Sequence, residues 1–111
     1  MTDRELLELA AKAAGIVGVD DVYPIFRGAS KDWDLKDWSE WNPLTDDGDA
    51  LRLAVKLGIA VQCHLHDGEG YALAGAGEIP NAVDIRPNDD PYAATRRAIV
   101  RAAAEIGRNM T

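Results

Sequence analysis

Apolar positions along the chain follow a helical spacing in three stretches and a strand spacing in one. Leu6, Leu9, Ala10 and Ala13 recur at intervals of three and four, which predicts an amphipathic helix near the start. Its entry is Thr2-Asp3-Arg4-Glu5, a capping box in which a hydroxyl faces the open amides and a glutamate follows three residues on. Gly15 supplies the left-handed stop. A second helix is predicted after Thr45-Asp46-Asp47-Gly48-Asp49, with Ala50, Leu51, Ala54, Val55 and Leu57 as its apolar side and Gly58 as its end. A third opens at Asp90-Pro91, a cap followed by proline at the first helical position. Tyr92, Ile99, Ala103, Ile106 and Met110 trace its stripe, and Gly107 reads as a late interruption or a fray point.

Between the second and third helices the period changes to two. Ile59, Val61, Cys63 and Leu65 alternate with Ala60, Gln62, His64 and His66, the pattern of a half-buried strand. Asp67-Gly68-Glu69-Gly70 is turn chemistry and predicts a hairpin into Tyr71-Ala72-Leu73-Ala74. Gly75-Ala76-Gly77 weakens the end of that strand, and Val83 with Ile85 suggests a short third one. Residues 16–26 are ambiguous, because strand formers alternate there with Asp20-Asp21 and Pro24. Residues 28–45 read as a long loop rich in Asp, Lys and Trp. Together these elements predict one domain over 1–111 of the α/β class, α+β type. A small antiparallel sheet is layered with three helices as an α-β-α sandwich.

Three segments carry a family resemblance. They are Leu6-Leu7-Glu8-Leu9-Ala10-Ala11-Lys12-Ala13-Ala14-Gly15, the run from Trp41-Asn42-Pro43-Leu44-Thr45 to Arg52-Leu53-Ala54, and the run from Asp90-Pro91-Tyr92 to Ala102-Ala103-Ala104. They resemble the phage ABA sandwich domain family, small proteins of tailed phages and prophages. The resemblance implies a helix–sheet–helix layering and a phage or prophage origin. It implies no catalytic residue.

Composition narrows the function classes. At 111 residues the chain is long enough to bury a core without disulfides or metal, and its one cysteine, Cys63, rules out an internal disulfide. No apolar run approaches the roughly 20 residues of a membrane span. Met1-Thr2-Asp3-Arg4-Glu5 lacks the basic start and apolar core of a signal peptide, which predicts a cytoplasmic protein, and the phage-family resemblance implies that the cell is a bacterial host. The net charge of −7 repels phosphate and argues against a non-specific nucleic-acid binder.

Four groups of residues are candidates for chemistry or binding. His64 and His66 would share a strand face about 6–7 Å apart and could bind a metal with Asp84 from a neighbouring strand. The plainer reading puts both rings on the polar face of a hairpin, with Cys63 packed in the core. Asp46, Asp47 and Asp49 offer oxygens to a hard cation but lack the alternation of a calcium loop, and capping explains them. Trp33 and Trp38, among Asp34 and Asp37, are suited to gripping a basic partner surface, the plainer alternative being that one or two of the rings fold back over the sheet or the second helix. Trp41, which belongs to a segment carrying the resemblance and directly precedes a helix, is assigned to packing. Arg97, Arg101 and Arg108 share a face of the last helix and could meet phosphates, yet Glu105 is spaced to partner them.

Charge is also uneven. Residues 30–50 sum to −5 and the final 21 to +3, opposed patches that would suit head-to-tail self-association into a homo-oligomer. The chain holds no phosphate loop, dinucleotide fingerprint or nucleophile with a recognisable base. The expectation is a non-enzymatic phage or prophage accessory protein without a cofactor. It would bind an unidentified phage or host protein, with no membrane and no nucleic acid. The alternatives are a metal site or metal-dependent enzyme at His64 and His66, and a nucleic-acid-directed protein using the arginine face.

Overall fold

A computed structural model describes residues 2–18, 25–28, 39–75 and 81–110. The elements follow in the order α1 (Asp3–Ala14), β1 (Ile16–Gly18), β2 (Ile25–Gly28), β3 (Ser39–Glu40), α2 (Asp47–Leu57), β4 (Ala60–His66), β5 (Glu69–Gly75), β6 (Asn81–Ile85) and α3 (Pro91–Arg108). Three helices and a three-stranded antiparallel sheet make a small α+β fold with a sandwich-like layering. A second, short antiparallel set, β1-β2-β3, occupies part of the ambiguous region and bounds residues 29–38. The predicted loop over 28–45 therefore has Gly28 at the end of β2 and Ser39–Glu40 in β3.

Local chemistry starts each helix where the sequence predicts. Glu5 N donates to Thr2 Oγ1 at 3.1 Å while Glu5 Oε1 accepts from Thr2 N at 3.4 Å, the reciprocal capping box. Asp46 accepts from Asp49 N at 2.8 Å and opens α2; Asp90 accepts from Tyr92 N at 2.9 Å ahead of α3, with Pro91 in its first turn. The β4–β5 hairpin turns on Asp67 (φ 54°) and Gly68 (φ 82°). Two consecutive positive φ values define the turn that matches the right-handed twist of the strands, and Asp-Gly is among the pairs that adopt it most readily.

The core is organised around α3. It packs along α1, beside α2, and across β5 and β6. Being enclosed from several sides, it buries Ala94, Ala98, Ile99, Val100, Ala102, Ala103, Ala104 and Gly107 rather than a single stripe. Tyr92 and Met110, expected in that stripe, are exposed at the two ends of the helix, Tyr92 on the wall of an open groove and Met110 just past the last turn. Gly107 is no fray point either: α3 runs on to Arg108, and the glycine lies against the backbone of Leu9 in α1. Among the described residues the largest fully buried side chains are Trp41, Leu7, Leu53, Val100 and Pro43. The assignment of Trp41 to packing thus matches its place.

One buried acid ties the entry of α2 together. Asp49, 5% exposed, accepts from the backbone N–H of Asn42 at 3.0 Å and from Arg52 Nη2 at 2.7 Å. Asn42 Oδ1 accepts in turn from Leu44 N at 3.0 Å. A charge-assisted pair of this kind replaces the water that burial removes from a carboxylate. The run from Trp41 to Asp49 is therefore a fastened entry segment whose tryptophan reaches the core.

Candidate functional site

β4 is the part of the fold that departs furthest from its sequence pattern. All seven of its residues are exposed, although the alternation predicts burial of one face. The reason lies in the layers: α3 covers β5 and β6 but only brushes β4, and α2 lies to one side of α3. Val61, Cys63 and Leu65 therefore floor an open apolar groove rather than a core. Ala50, Leu51 and Ala54 of α2 and Tyr92, Thr95 and Ile99 of α3 form its walls. Its volume is about 490 Å³, within the range of ligand and side-chain pockets. Cys63, expected in the core, is a free and exposed thiol on that floor.

Around the groove the exposed apolar surface is continuous in kind. Leu51 is 65% exposed, Val61 39%, Leu65 47% and Tyr92 68%. Single exposed aliphatics need no explanation, but several gathered on one concavity mark a surface for contact. Arg96 stands at the rim in a tightly held position: its Nε donates to the carbonyl of Leu44 at 2.8 Å, and Nη1 meets Asp47 at 2.6 Å. Its side chain is 15% exposed, and with Asp90 4.0 Å away it braces the first turns of α2 and α3 against each other.

The other candidates fall elsewhere. His64 and His66 do lie on one strand face, opposite to Cys63, as period two requires. His64 Nε2 lies 3.3 Å from Gln62 Oε1, and its ring is 4.9 Å from that of Tyr71. The hairpin register sets His64 opposite Tyr71 and Tyr71 opposite Asp84, so a strand separates the imidazole from the carboxylate proposed to join it. His66 contacts Asp67 at 3.4 Å on the open surface. Among the described residues no three His, Cys, Asp or Glu are grouped to hold a metal ion. Asp46, Asp47 and Asp49 each have a separate structural partner, so the acidic run is spent on capping and bracing. Trp33, Asp34, Asp37 and Trp38 lie outside the described residues.

Arg97 and Arg108 of the arginine face are engaged within the fold, and Arg101 is exposed. Arg97 donates from both guanidinium nitrogens to Asp3 at 3.0 and 3.1 Å, joining α3 to the first turn of α1. Arg108 lies 3.7 Å from Glu105, the partner its spacing suggests. The Arg97 hydrogen bonds, opposed by partial burial and aided by the charges of Arg97 and Arg101, hold the Asp3 carboxyl below its usual range. A carboxyl more acidic in the folded state stabilises above its unfolded pKa of about 4 and loses that contribution as pH falls through the lower folded value. Thermal unfolding of Asp3→Asn and the parent, compared at pH 5 and at pH 2, should show a gap at the higher pH that closes at the lower one. Because the pair is largely exposed, the gap should be small and should shrink with salt.

With the geometry in place, the chain's class is a small α+β domain of three helices over an antiparallel sheet. Comparison with protein-family models, with curated proteins and with solved structures gives no match. Among the described residues no helix is long and apolar enough to cross a membrane.

Proposed function

We propose that this protein is a non-enzymatic binding module, a phage or prophage accessory protein of the kind its resemblance to the phage ABA sandwich family implies. The observation that carries the binding reading is the apolar groove between α2, α3 and β4, rimmed by Leu51, Leu65 and Tyr92 at roughly half to two-thirds exposure. A pocket of this kind accepts two or three apolar side chains of a partner segment. Residues of large contact area such as Tyr92 supply most of the affinity at such sites. Trp33 and Trp38, with Asp34 and Asp37 beside them, belong to the same proposal as a second contact to a basic surface of the partner.

Affinity capture from bacterial lysate, with and without phage infection, tests the reading. The parent should retain one stoichiometric partner. Leu51→Asp/Tyr92→Ala should lose it while keeping its stability within about 0.5 kcal/mol, since both side chains are mostly exposed. Trp33→Ala/Trp38→Ala should reduce it as well. Full retention of the partner by both double variants overturns the reading, as does turnover of a substrate by the purified protein.

A further inference from the structure

β4 is the outermost strand of β4-β5-β6, and among the described residues nothing pairs with its second edge. Soluble proteins usually guard such an edge with a lysine, a proline, a bulge, a short length or a cover. Among the described residues β4 has none of these devices. It runs seven residues, Ala60–His66, in unbroken register with β5 from Ala60↔Gly75 to His66↔Glu69. Every residue in it is exposed, and it contains no Lys, Arg, Asp, Glu or Pro. A long, unbulged edge without Lys, Arg, Asp or Glu presents a row of backbone donors and acceptors that pairing with another strand would satisfy.

We propose that this edge pairs with the same strand of a second copy, antiparallel, about a two-fold axis through Cys63. Joining two identical edges side by side in one sheet requires an axis perpendicular to that sheet, so residues of equal parity meet and each face keeps its character. Centring on Cys63 is the one register that pairs all seven residues. It sets Val61 opposite the partner's Leu65, Gln62 opposite the partner's His64, and Cys63 opposite the partner's Cys63. Apolar thus meets apolar on the groove face, and amide meets imidazole on the outer face. Directly opposed side chains of this kind stabilise a strand pair.

Charge fits this arrangement. Each chain carries −7, but the joint brings no formal charge against its copy. The acids at the hairpin, Asp67 and Glu69, point to opposite ends of the joined sheet because the strands run antiparallel. Both helical layers fall on the same face, so the two grooves become neighbours across the joint. The exposed Leu51 and Leu65 there extend the apolar contact that a strand pair needs to approach about 800 Å² per partner. The joint shares Val61, Cys63 and Leu65 with the groove floor, so its test reads the mass and crosslinking of the parent, neither of which depends on capture of a partner.

Sedimentation velocity on the purified protein at neutral pH should give twice the chain mass of 12.0 kDa. A short thiol-to-thiol crosslinker should then couple two copies through Cys63, and Cys63→Ser should remain a dimer that no longer crosslinks. Val61→Lys places a charge at the joint and should sediment as a monomer with an unchanged far-UV circular dichroism spectrum. A parent that stays monomeric at about 100 μM overturns the proposal, leaving the edge to a foreign strand. An open series of larger species overturns it as well, and so does a dimer that Cys63 does not crosslink. The thiol readout keeps the test valid if Val61→Lys fails to fold. Loss of partner capture by the groove variants has no bearing on the mass of the parent.

Discussion

Replacing Trp41 with alanine is expected to lower unfolding stability by about 3–5 kcal/mol, the usual cost of emptying a buried aromatic site. Trp41 is fully buried and is the largest such side chain among the described residues, clustered with Leu7, Leu53 and Val100. Its backbone is fastened on the C-terminal side by Asn42, whose N–H reaches the buried Asp49. A collapsing segment could fill the void only by breaking that bond, so relaxation offsets little of the loss. Domains of this size are stable by only about 5–15 kcal/mol, and the variant should sit near the threshold of folding. Urea denaturation followed by circular dichroism measures the change, with Trp41→Phe as the milder companion. A loss under about 1 kcal/mol would place the indole outside the core and contradict the packing described above.

Gly107→Ala is expected to destabilise by about 2 kcal/mol, against the normal sign for this substitution in a helix. Alanine is the better helix former by about 1 kcal/mol, so at an indifferent position the change would stabilise. Here an added Cβ would lie 2.0 Å from the carbonyl oxygen of Leu9 and 2.8 Å from its carbon. The atoms in the way are backbone, so α1 and α3 must separate, and they form the most extensive helix contact of the fold. Overpacking of this sort costs about 1–3 kcal/mol and occasionally more, which outweighs the gain in propensity. Because no side chain is at fault, Leu9→Ala should fail to rescue the variant. Equal or raised stability of Gly107→Ala in the same denaturation assay would show that the helices stand apart at this point.

These two positions show where reading the chain by its period succeeds and where it ends. Trp41 is assigned to packing from its place in a segment that carries the family resemblance and ahead of a helix, and it is buried. Gly107 reads as a break from sequence, because glycine in a helix is a cost unless something must come close, and Leu9 is 98 residues away. The same limit governs the groove. Leu51 and Val55 belong to an apolar face by spacing, yet spacing does not say whether a neighbour arrives to cover that face. Cys63 alternates as a core residue does, and it is exposed because α3 lies over β5 and β6 instead. Asp49 looks like one more capping acid, although its depth and its bond to Asn42 make it a fastening of the preceding segment.

What the chain determines alone is the set of starts, stops and turns: the capping box at Thr2 and Glu5, the caps at Asp46 and Asp90, and the Asp67-Gly68 turn. Each is settled by atoms within about four residues, at an energy that local bonding supplies without help from the rest of the fold. Which apolar faces are buried, why Gly107 must be glycine, and why β4 keeps a bare edge beside an open groove are decided only by the tertiary structure. Those outcomes depend on which segment lies across the gap, and burial is worth its free energy only when that distant surface is present to exclude water.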